Sequence, residues 1–268
     1  MYKNKYAIVF DLDETLGHFS QLYFFFNLVK SYLNLHRNNE KQVFFNLLDS
    51  FPEFLRSDII KLLTIIKKKK QSGLCDYVMI YTNNNGPKEW AELIKDYLHY
   101  RLNYELFDRI IAAFKINNEI IEVCRSSHNK SYKDFINCTR LPNNTKVCFF
   151  DDQCHDDMEH DNVVYINLKP YTYNVPFVLM ADIFYKNNYM FFNNNKFINN
   201  SKERFIKFIK KYSQNYNLKY LNKTVTEMQI EHLITQRMIK EIELFLKNKK
   251  KTVKHKLYNK PHKITYKK

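Results

Sequence analysis

Three apolar runs within the first 150 residues are each followed directly by polar residues. They are Tyr6 to Phe10, Tyr77 to Tyr81 and Val147 to Phe150. Short continuous apolar runs predict strands that are buried on both faces, as in parallel sheets. Helical patterns lie between them, including one that Pro87 opens. The pattern therefore predicts a three-layer α/β fold with a mainly parallel central sheet.

The first run ends in an acidic segment, Asp11-Leu12-Asp13-Glu14-Thr15. This is the carboxyl end of a predicted strand, where ligands bind in open α/β sheets. Because side chains alternate along a strand, Asp11 and Asp13 are expected on the same side and close together. Two carboxylates in that arrangement need a cation. The alternative is a solvated loop in which Asp and Thr cap a helix.

The second and third runs also end in polar segments. Thr82-Asn83-Asn84-Asn85-Gly86 follows the second, and Asp151-Asp152 follows the third. Alone, the acidic pair fits a turn or a helix cap. Three such strand ends in one chain are harder to produce by chance than one, which favours a shared site. We therefore expect the strands that lead to Asp11 and Asp151 to be adjacent, so that both segments share one metal.

With a lysine between the second and third segments, these motifs resemble those of the haloacid-dehalogenase-like superfamily of phosphotransferases, over about residues 5–170. The resemblance implies a Rossmann-like α/β/α fold. The DLDETL and FFDDQ segments are similar to two branches, the NLI-interacting-factor or RNA polymerase CTD-phosphatase-like family and the magnesium-dependent phosphatase family. Gly17-His18 stands where the CTD phosphatases usually have a valine, and TNNN replaces their usual second motif.

The resemblance implies an aspartyl-phosphate mechanism. Asp11 would be the nucleophile that attacks phosphorus. Asp13 would protonate the leaving oxygen and then activate water, and its alternative role is that of a metal carboxylate without proton transfer. The Thr82 hydroxyl would bind a phosphoryl oxygen, with Asn83 as a further donor. Thr15 is a further candidate for substrate binding.

The implied metal is Mg²⁺, because clustered carboxylates and phosphate provide the hard oxygen ligands that this ion requires. Asp11, the backbone carbonyl of Asp13, and Asp151 or Asp152 would supply the protein ligands. In the CTD-phosphatase branch the second residue of the acidic pair binds the metal. Asp152 is therefore the candidate for direct contact, and Asp151 for a water-mediated or lysine-paired role.

Two lysines are candidates for the residue that neutralises the transferred phosphoryl group. Lys130 lies 21 positions before Asp151, close to the spacing in the magnesium-dependent phosphatases. Lys133, followed by Asp134-Phe135, resembles the VKDL segment of the CTD-phosphatase branch. Lys130 is favoured as the catalytic lysine, and Lys133 is kept as a substrate-binding candidate. The lysine that does not serve is expected to be solvated on the first turn of the following helix.

A short insertion between the first two motifs, residues 17–50, contains two apolar segments spaced for short helices, Leu22 to Val29 and Val43 to Leu48. Its position is where the resembled superfamily has helical caps. A cap this short would leave the cleft open to a bulky substrate. Its phenylalanines are expected to pack onto the core rather than to form an aromatic substrate pocket.

Positive charge is concentrated at the end of the sequence. Residues 201–268 carry 19 Lys or Arg and 5 Asp or Glu, which gives +14 of the chain's net +15. The predicted organisation is a catalytic domain at 1–185, an Asn-rich connector at 186–200, a basic helical extension at 201–248 and a disordered basic tail at 249–268.

The basic extension contains one amphipathic helix, predicted from Thr224 to about Lys247. Its apolar face is expected to pack within the chain, with partner binding as the alternative. The basic tail after it is typical of segments that bind nucleic acid or an acidic partner, and also of solubilising appendages.

Five cysteines contain no CxxC pair, and their odd number argues against a closed disulfide framework. Cys154 and His155 follow the acidic pair, but no second pair has ligand spacing, so zinc is rejected. No apolar run reaches membrane-spanning length, and the N-terminus lacks a signal-peptide layout. An intracellular, reducing compartment, either cytoplasm or nucleus, is expected.

Together with these residues, the resemblance implies a Mg²⁺-dependent phosphomonoester phosphatase that acts through an aspartyl-phosphate, with phosphoserine or phosphothreonine protein as its substrate. The alternatives are a phosphatase for nucleic-acid ends or for a small phosphorylated metabolite, and a catalytically weak domain that binds partners through its basic tail. The presence of Asp11, Asp13, Thr82 and Asp152 argues against the weak domain, since a decayed site usually lacks one of them.

Overall fold

A computed structural model describes residues 4–35, 37–193, 201–214, 216 and 223–258. The strands in these ranges are β1 Tyr6–Phe10, β2 Tyr77–Tyr81, β3 Arg109–Ile111, β4 Lys115–Ile116, β5 Glu119–Ile120, β6 Lys146–Asp151 and β7 Val163–Asn167. The helices are α1 Ser20–Leu33, α2 Arg37–Ser50, α3 Ile59–Gln71, α4 Lys88–Leu102, α5 Tyr132–Thr139, α6 Phe177–Asn187, α7 Tyr189–Asn193, α8 Lys202–Tyr212 and α9 Val225–Tyr258.

Five parallel strands form the central sheet in the order β3-β2-β1-β6-β7. All residues of β1 are buried, as the apolar run predicts for a central strand. The predicted bounds of β1 and β2 are confirmed, and β6 is one residue longer at each end than predicted. β1 pairs with β6, with Phe10 opposite Phe150. The predicted adjacency of these two strands is therefore confirmed.

Side chains alternate across β1 and fill two separate cores. Ile8 and Phe10 face the larger core, which helices from α1 to α4, α6, α8 and α9 complete. Ala7 and Val9 face the smaller core, which contains Phe135 of α5. The sheet therefore lies between two helical layers. This confirms the predicted α/β class with a parallel central sheet, and it is compatible with a Rossmann-like three-layer fold.

The insertion at 17–50 forms α1 and α2, which are both longer than the segments predicted from the sequence. Phe25, Phe26, Phe44 and Phe45 are buried in the larger core. The expectation that these side chains pack onto the core is therefore confirmed. Phe24 is only half-buried and lies at the cleft described below.

The basic extension packs against the rest of the chain through α8 and α9. Phe205 of α8, and Met238 and Ile242 of α9, are buried in the larger core. α9 lies against α3 and β1, and the ring centroids of Phe245 and Tyr6 are 5.3 Å apart. The amphipathic helix therefore buries the part of its apolar face from Met238 onward within the chain, as expected, whereas Ile230 and Leu233 are exposed.

The boundaries of the C-terminal segments differ from those predicted. α9 ends at Tyr258 rather than near Lys247, so part of the segment expected to be disordered is helical. The connector is helical up to Asn193. The rest of the predicted connector, 194–200, and the last part of the predicted tail, 259–268, lie outside the described residues. None of the described helices combines the length and the apolarity needed to cross a membrane.

A disulfide joins Cys124 to Cys138 of α5. The sequence predicted no disulfide framework and therefore missed this bridge. An odd number of cysteines prevents all of them from pairing, but it permits a single disulfide. The argument for a reducing compartment therefore loses its basis. Cys75 and Cys148 are buried and free, and Cys154 is exposed.

Candidate active site

A cleft of about 770 Å³ opens where β1, β2 and β6 end. Parallel strands end at the same edge of the sheet, which is why segments far apart in the sequence meet there. Its acidic lining consists of Asp11, Asp13, Glu14, Asp151 and Asp152. Its aromatic lining comes from α1 and α4 and consists of Tyr23, Phe24 and Trp90.

Lys130 connects two of the predicted motifs. Its Nζ lies 2.5 Å from Oδ1 of Asp11 and 2.7 Å from Oδ2 of Asp151, and only 2% of the residue is exposed. Lys133, by contrast, is exposed on the first turn of α5 and does not line the cleft. The structure thus brings Lys130 into the site and leaves Lys133 in solvent, as expected for the lysine that does not serve.

The loop before Lys130 is held by Arg125, which the sequence did not indicate. Its guanidinium donates to the carbonyl oxygens of Thr82, at 3.2 Å, and of Ala112, at 2.8 Å. It also donates to the His128 carbonyl at 2.9 Å. These bonds tie the loop to the ends of β2 and β3. An arginine whose hydrogen-bond partners are all backbone carbonyls leaves no sequence pattern that could have identified it.

Asp13 faces the segment that follows β2. Asn84 donates from Nδ2 to Oδ2 of Asp13 at 2.5 Å, and its backbone N–H donates to Oγ1 of Thr82 at 3.0 Å. Oδ1 of Asp13 is buried and makes no hydrogen bond to any described residue. Oδ1 of Asn83 is likewise buried without such a partner. Thr82 and Asn83 therefore line the cleft as predicted, while the contact to Asp13 comes from Asn84, which the sequence analysis did not single out.

Thr15 lies beneath the acidic cluster rather than at its surface. It is fully buried, does not line the cleft, and donates from Oγ1 to Oδ1 of Asp152 at 3.3 Å. The surface of the cleft, where a substrate would bind, therefore does not include Thr15, because other protein atoms cover its hydroxyl. Its contact orients the carboxylate of Asp152 instead.

Asp11, Asp151 and Asp152 form a group that could hold a metal ion. One carboxylate oxygen from each lies within 4.8 Å of the others. A second group among the described residues consists of Glu122, Cys124 and Cys138, but its two sulfurs are joined in the disulfide. The all-carboxylate group offers the hard oxygen ligands that Mg²⁺ prefers.

Burial raises the pKa of each aspartate in the cluster. It raises the pKa of Asp13 to about 7, although the hydrogen bond from Asn84 opposes the change. Burial also raises the pKa of Asp11, while the charge of Lys130 lowers it. Burial is also the main reason why the pKa values of Asp151 and Asp152 are raised. One ammonium group therefore does not balance the negative charge that the two buried carboxylates, Asp11 and Asp151, and the two half-buried ones, Asp13 and Asp152, would carry.

Comparison with known proteins gives no independent assignment for this cleft: no family model, no curated protein and no solved structure matches the chain. The cleft combines clustered carboxylates, a buried lysine, and hydroxyl and amide groups, which are groups able to bind a hard cation and an anion.

Proposed function

We propose that this chain is a Mg²⁺-dependent phosphomonoester phosphatase of the haloacid-dehalogenase-like type. The observation that carries the proposal is the bridge from Lys130 to both Asp11 and Asp151, because it joins three of the four resembled motifs in one buried contact. Packing alone does not require a lysine between two carboxylates at the ends of the strands. That arrangement does suit a site in which charge develops on a transferred phosphoryl group.

In the proposed reaction, a carboxylate oxygen of Asp11 forms a bond to phosphorus while the bond from phosphorus to the leaving oxygen breaks. Asp13 gives a proton to that oxygen and the alcohol departs. Water then attacks the aspartyl-phosphate, Asp13 takes a proton from it, and the bond between phosphorus and Asp11 breaks to release phosphate. Asn84 fixes the carboxylate of Asp13, and Thr82 and Asn83 face the phosphoryl oxygens.

The residues of the cleft fit a magnesium ion. Asp11 and Asp152 would hold it, with Asp151 either contacting it or remaining paired with Lys130. The fit rests on the all-oxygen ligand set and on the orphaned Oδ1 of Asp13, which a hydrated cation would satisfy through its water. When bound, Mg²⁺ stabilises negative charge on the phosphoryl oxygens.

The charge of the cleft favours a substrate with one phosphoryl group on a neutral or basic carrier. Lys130 is the only cation among the described residues of its lining, and it is already paired with two aspartates. A nucleic-acid end would bring further phosphates close to this acidic lining, which like charges disfavour. Tyr23, Phe24 and Trp90 instead offer apolar surface beside the reaction centre. We therefore favour a phosphoserine or phosphothreonine protein as the substrate.

Hydrolysis of p-nitrophenyl phosphate by the purified chain tests the reaction. We expect activity that depends on Mg²⁺ and that Asp11→Asn lowers at least about a thousandfold, as expected for loss of a nucleophile. Asp157→Asn is the matched control, since Asp157 is exposed on a nearby turn outside the cleft. Full activity of Asp11→Asn would refute the proposed nucleophile.

A second assay separates the two carriers. A phosphoserine peptide should be hydrolysed with higher kcat/KM than an oligonucleotide with a 5′-phosphate. Replacing the exposed lysines of α8 by glutamine, Lys207, Lys210 and Lys211, should leave peptide hydrolysis unchanged. The opposite preference, together with loss of oligonucleotide turnover in that variant, would favour a nucleic-acid-end phosphatase. Deleting residues 201–268 is unsuitable here, because it would remove buried core residues such as Phe205 and Met238.

A further inference from the structure

Arg56 is a buried cation that joins the acidic turn after β1 to the C-terminal helix. The residue is 1% exposed. Its Nε donates to the carbonyl oxygen of Thr15 at 2.7 Å, and its Nη2 donates to those of Glu14, at 2.6 Å, and Lys169, at 2.9 Å. Its Nη1 lies 3.0 Å from Oε2 of Glu231. One guanidinium thus contacts the turn, the segment after β7 and α9.

The turn that Arg56 holds has a backbone conformation that needs support. Glu14 has a φ of 60°, in the left-handed region that non-glycine residues rarely adopt. Its N–H donates to the carbonyl of Gly17 at 2.6 Å, and its own carbonyl also accepts from the N–H of Tyr171 at 2.8 Å. Glu14 separates Asp13 from Thr15, the residue that contacts Asp152. Loosening this turn would therefore displace Asp13 on one side and, through Thr15, the carboxylate of Asp152.

Glu231 provides the charge that allows Arg56 to be buried. Its side chain is 4% exposed, and the other hydrogen bonds of the guanidinium go to neutral carbonyl oxygens, while the ring of Tyr171 lies 5.3 Å from it. A buried arginine without a carboxylate partner strongly destabilises the folded protein, whereas a buried ion pair is tolerated. The Nζ of Lys223 lies 3.7 Å from the other carboxylate oxygen of Glu231. The carboxylate of Glu231 thus contacts two cations, Arg56 and Lys223, where α9 meets the turn.

α9 contacts three successive residues at this junction. Next to the pair of Arg56 and Glu231, Thr235 donates from Oγ1 to the carbonyl of Ser57 at 2.7 Å. His232 contacts the carboxylate of Asp58. The segment that contains Arg56 also pairs with the end of the acidic turn, since the Arg56 N–H donates to the Leu16 carbonyl at 3.0 Å. α9 is therefore coupled to the turn through one short segment.

We propose that Glu231 is a positioning residue for the acidic turn, acting through Arg56, so that α9 is a structural part of the catalytic unit. The proposal rests on the proposed function for its effect on turnover, but its structural part does not. Glu231 touches no reacting group. It fixes the guanidinium that holds the carbonyls of Glu14 and Thr15, and through them the placement of Asp13 and Asp152.

The test compares Glu231→Gln with Glu241→Gln in the full chain. Both variants remove one carboxylate from α9, but Glu241 contacts Arg237 and does not reach Arg56. The first readout is hydrogen exchange at the amides of Glu14 and Leu16, which donate to Gly17 and Leu12 within the turn. We expect E231Q to speed this exchange about tenfold or more relative to E241Q. We also expect it to lower kcat for p-nitrophenyl phosphate by a similar factor, with little change in KM.

Equal exchange and equal kcat in the two variants would overturn the proposal. If E231Q does not fold, the double variant R56M/E231L replaces it, because an apolar pair of similar volume often preserves a core that held an ion pair. This folded variant should still show fast exchange at Glu14 and Leu16, and slow exchange there would contradict the proposal. If the unmodified chain has no phosphatase activity, the proposed function fails, while the exchange comparison still decides the role of Glu231.

Discussion

The side-chain amide of Asn84 donates a 2.5 Å hydrogen bond to the carboxylate of Asp13. In the proposed reaction this bond keeps the proton-transferring group aimed at the leaving oxygen. Asn84→Leu should lower kcat for p-nitrophenyl phosphate about tenfold to a hundredfold, as loss of a group that orients an acid-base residue does. Asn137→Leu, on the exposed face of α5, is the control. An unchanged kcat in Asn84→Leu would remove Asn84 from the proposed site.

Replacing Lys130 and Lys133 by methionine, one at a time, should have different effects on turnover. Lys130→Met removes the ammonium that contacts Asp11 and Asp151, so turnover should fall at least about a hundredfold. Lys133→Met changes an exposed side chain and should leave turnover within about twofold. Steady-state kinetics on p-nitrophenyl phosphate measures both. Comparable small losses from the two variants would refute the assignment of Lys130.

The disulfide between Cys124 and Cys138 closes a loop with a sequence separation of 14 residues. A loop of this length is expected to contribute about 3 kcal/mol to the free energy of unfolding. Urea unfolding with and without a reductant should show a loss of this order. Cys154→Ser should respond to the reductant like the unmodified chain, since Cys154 is free. A response of equal size in the double variant C124S/C138S would show that the effect does not come from this bond.

Two neighbouring positions of α9 test whether its apolar face is part of the core. Ile242 is 1% exposed, so Ile242→Ala should lower the free energy of unfolding by about 2–5 kcal/mol. Leu244 is 49% exposed, and Leu244→Ala should change it by less than about 0.5 kcal/mol. Chemical denaturation of both variants provides the comparison. Equal, small losses would mean that α9 is not docked in solution.

Gly17 has a packing reason for its departure from the valine usual in the resembled CTD-phosphatase branch. A Cβ at this position would collide with the carbonyl oxygen of Phe54 and the ring of Phe19. Gly17→Ala should therefore lower the free energy of unfolding by about 1–3 kcal/mol, as overpacking does. Thermal unfolding measures the loss. Unchanged stability would show that the segment of residues 54–56 can move away from the added methyl group without cost.

The parts of the site that the sequence predicted are those with a local pattern. The apolar runs located β1, β2 and β6, and the polar residues after them located Asp11, Thr82 and Asp151. Residues that act through distant partners had no such pattern. Glu231 lies 175 positions from Arg56, and nothing near either residue indicates a pair. By sequence the segment of Arg56 reads as part of a core helix, whereas α3 begins only at Ile59, so the sequence does not reveal the role of its guanidinium.

The same limit explains why the sequence did not predict the position of the Thr15 hydroxyl or the disulfide. A hydroxyl four residues after a proposed nucleophile suits substrate binding equally well by sequence, and only the fold turns it toward Asp152. A single disulfide between Cys124 and Cys138 depends on how the loop before α5 folds back onto that helix. Asn84 was one of three consecutive asparagines, and backbone geometry alone decides which of them reaches Asp13.

The central position of β1 also determines when the protein can fold during synthesis. β1 is made first but pairs with β6, so that Tyr6 must wait for Lys146 to leave the ribosome. It is then covered by Phe245 of α9, which emerges about a hundred residues later. Contacts of such long sequence separation slow folding and leave an apolar strand exposed in the nascent chain. We therefore expect the growing chain to depend on chaperones until α9 has been translated.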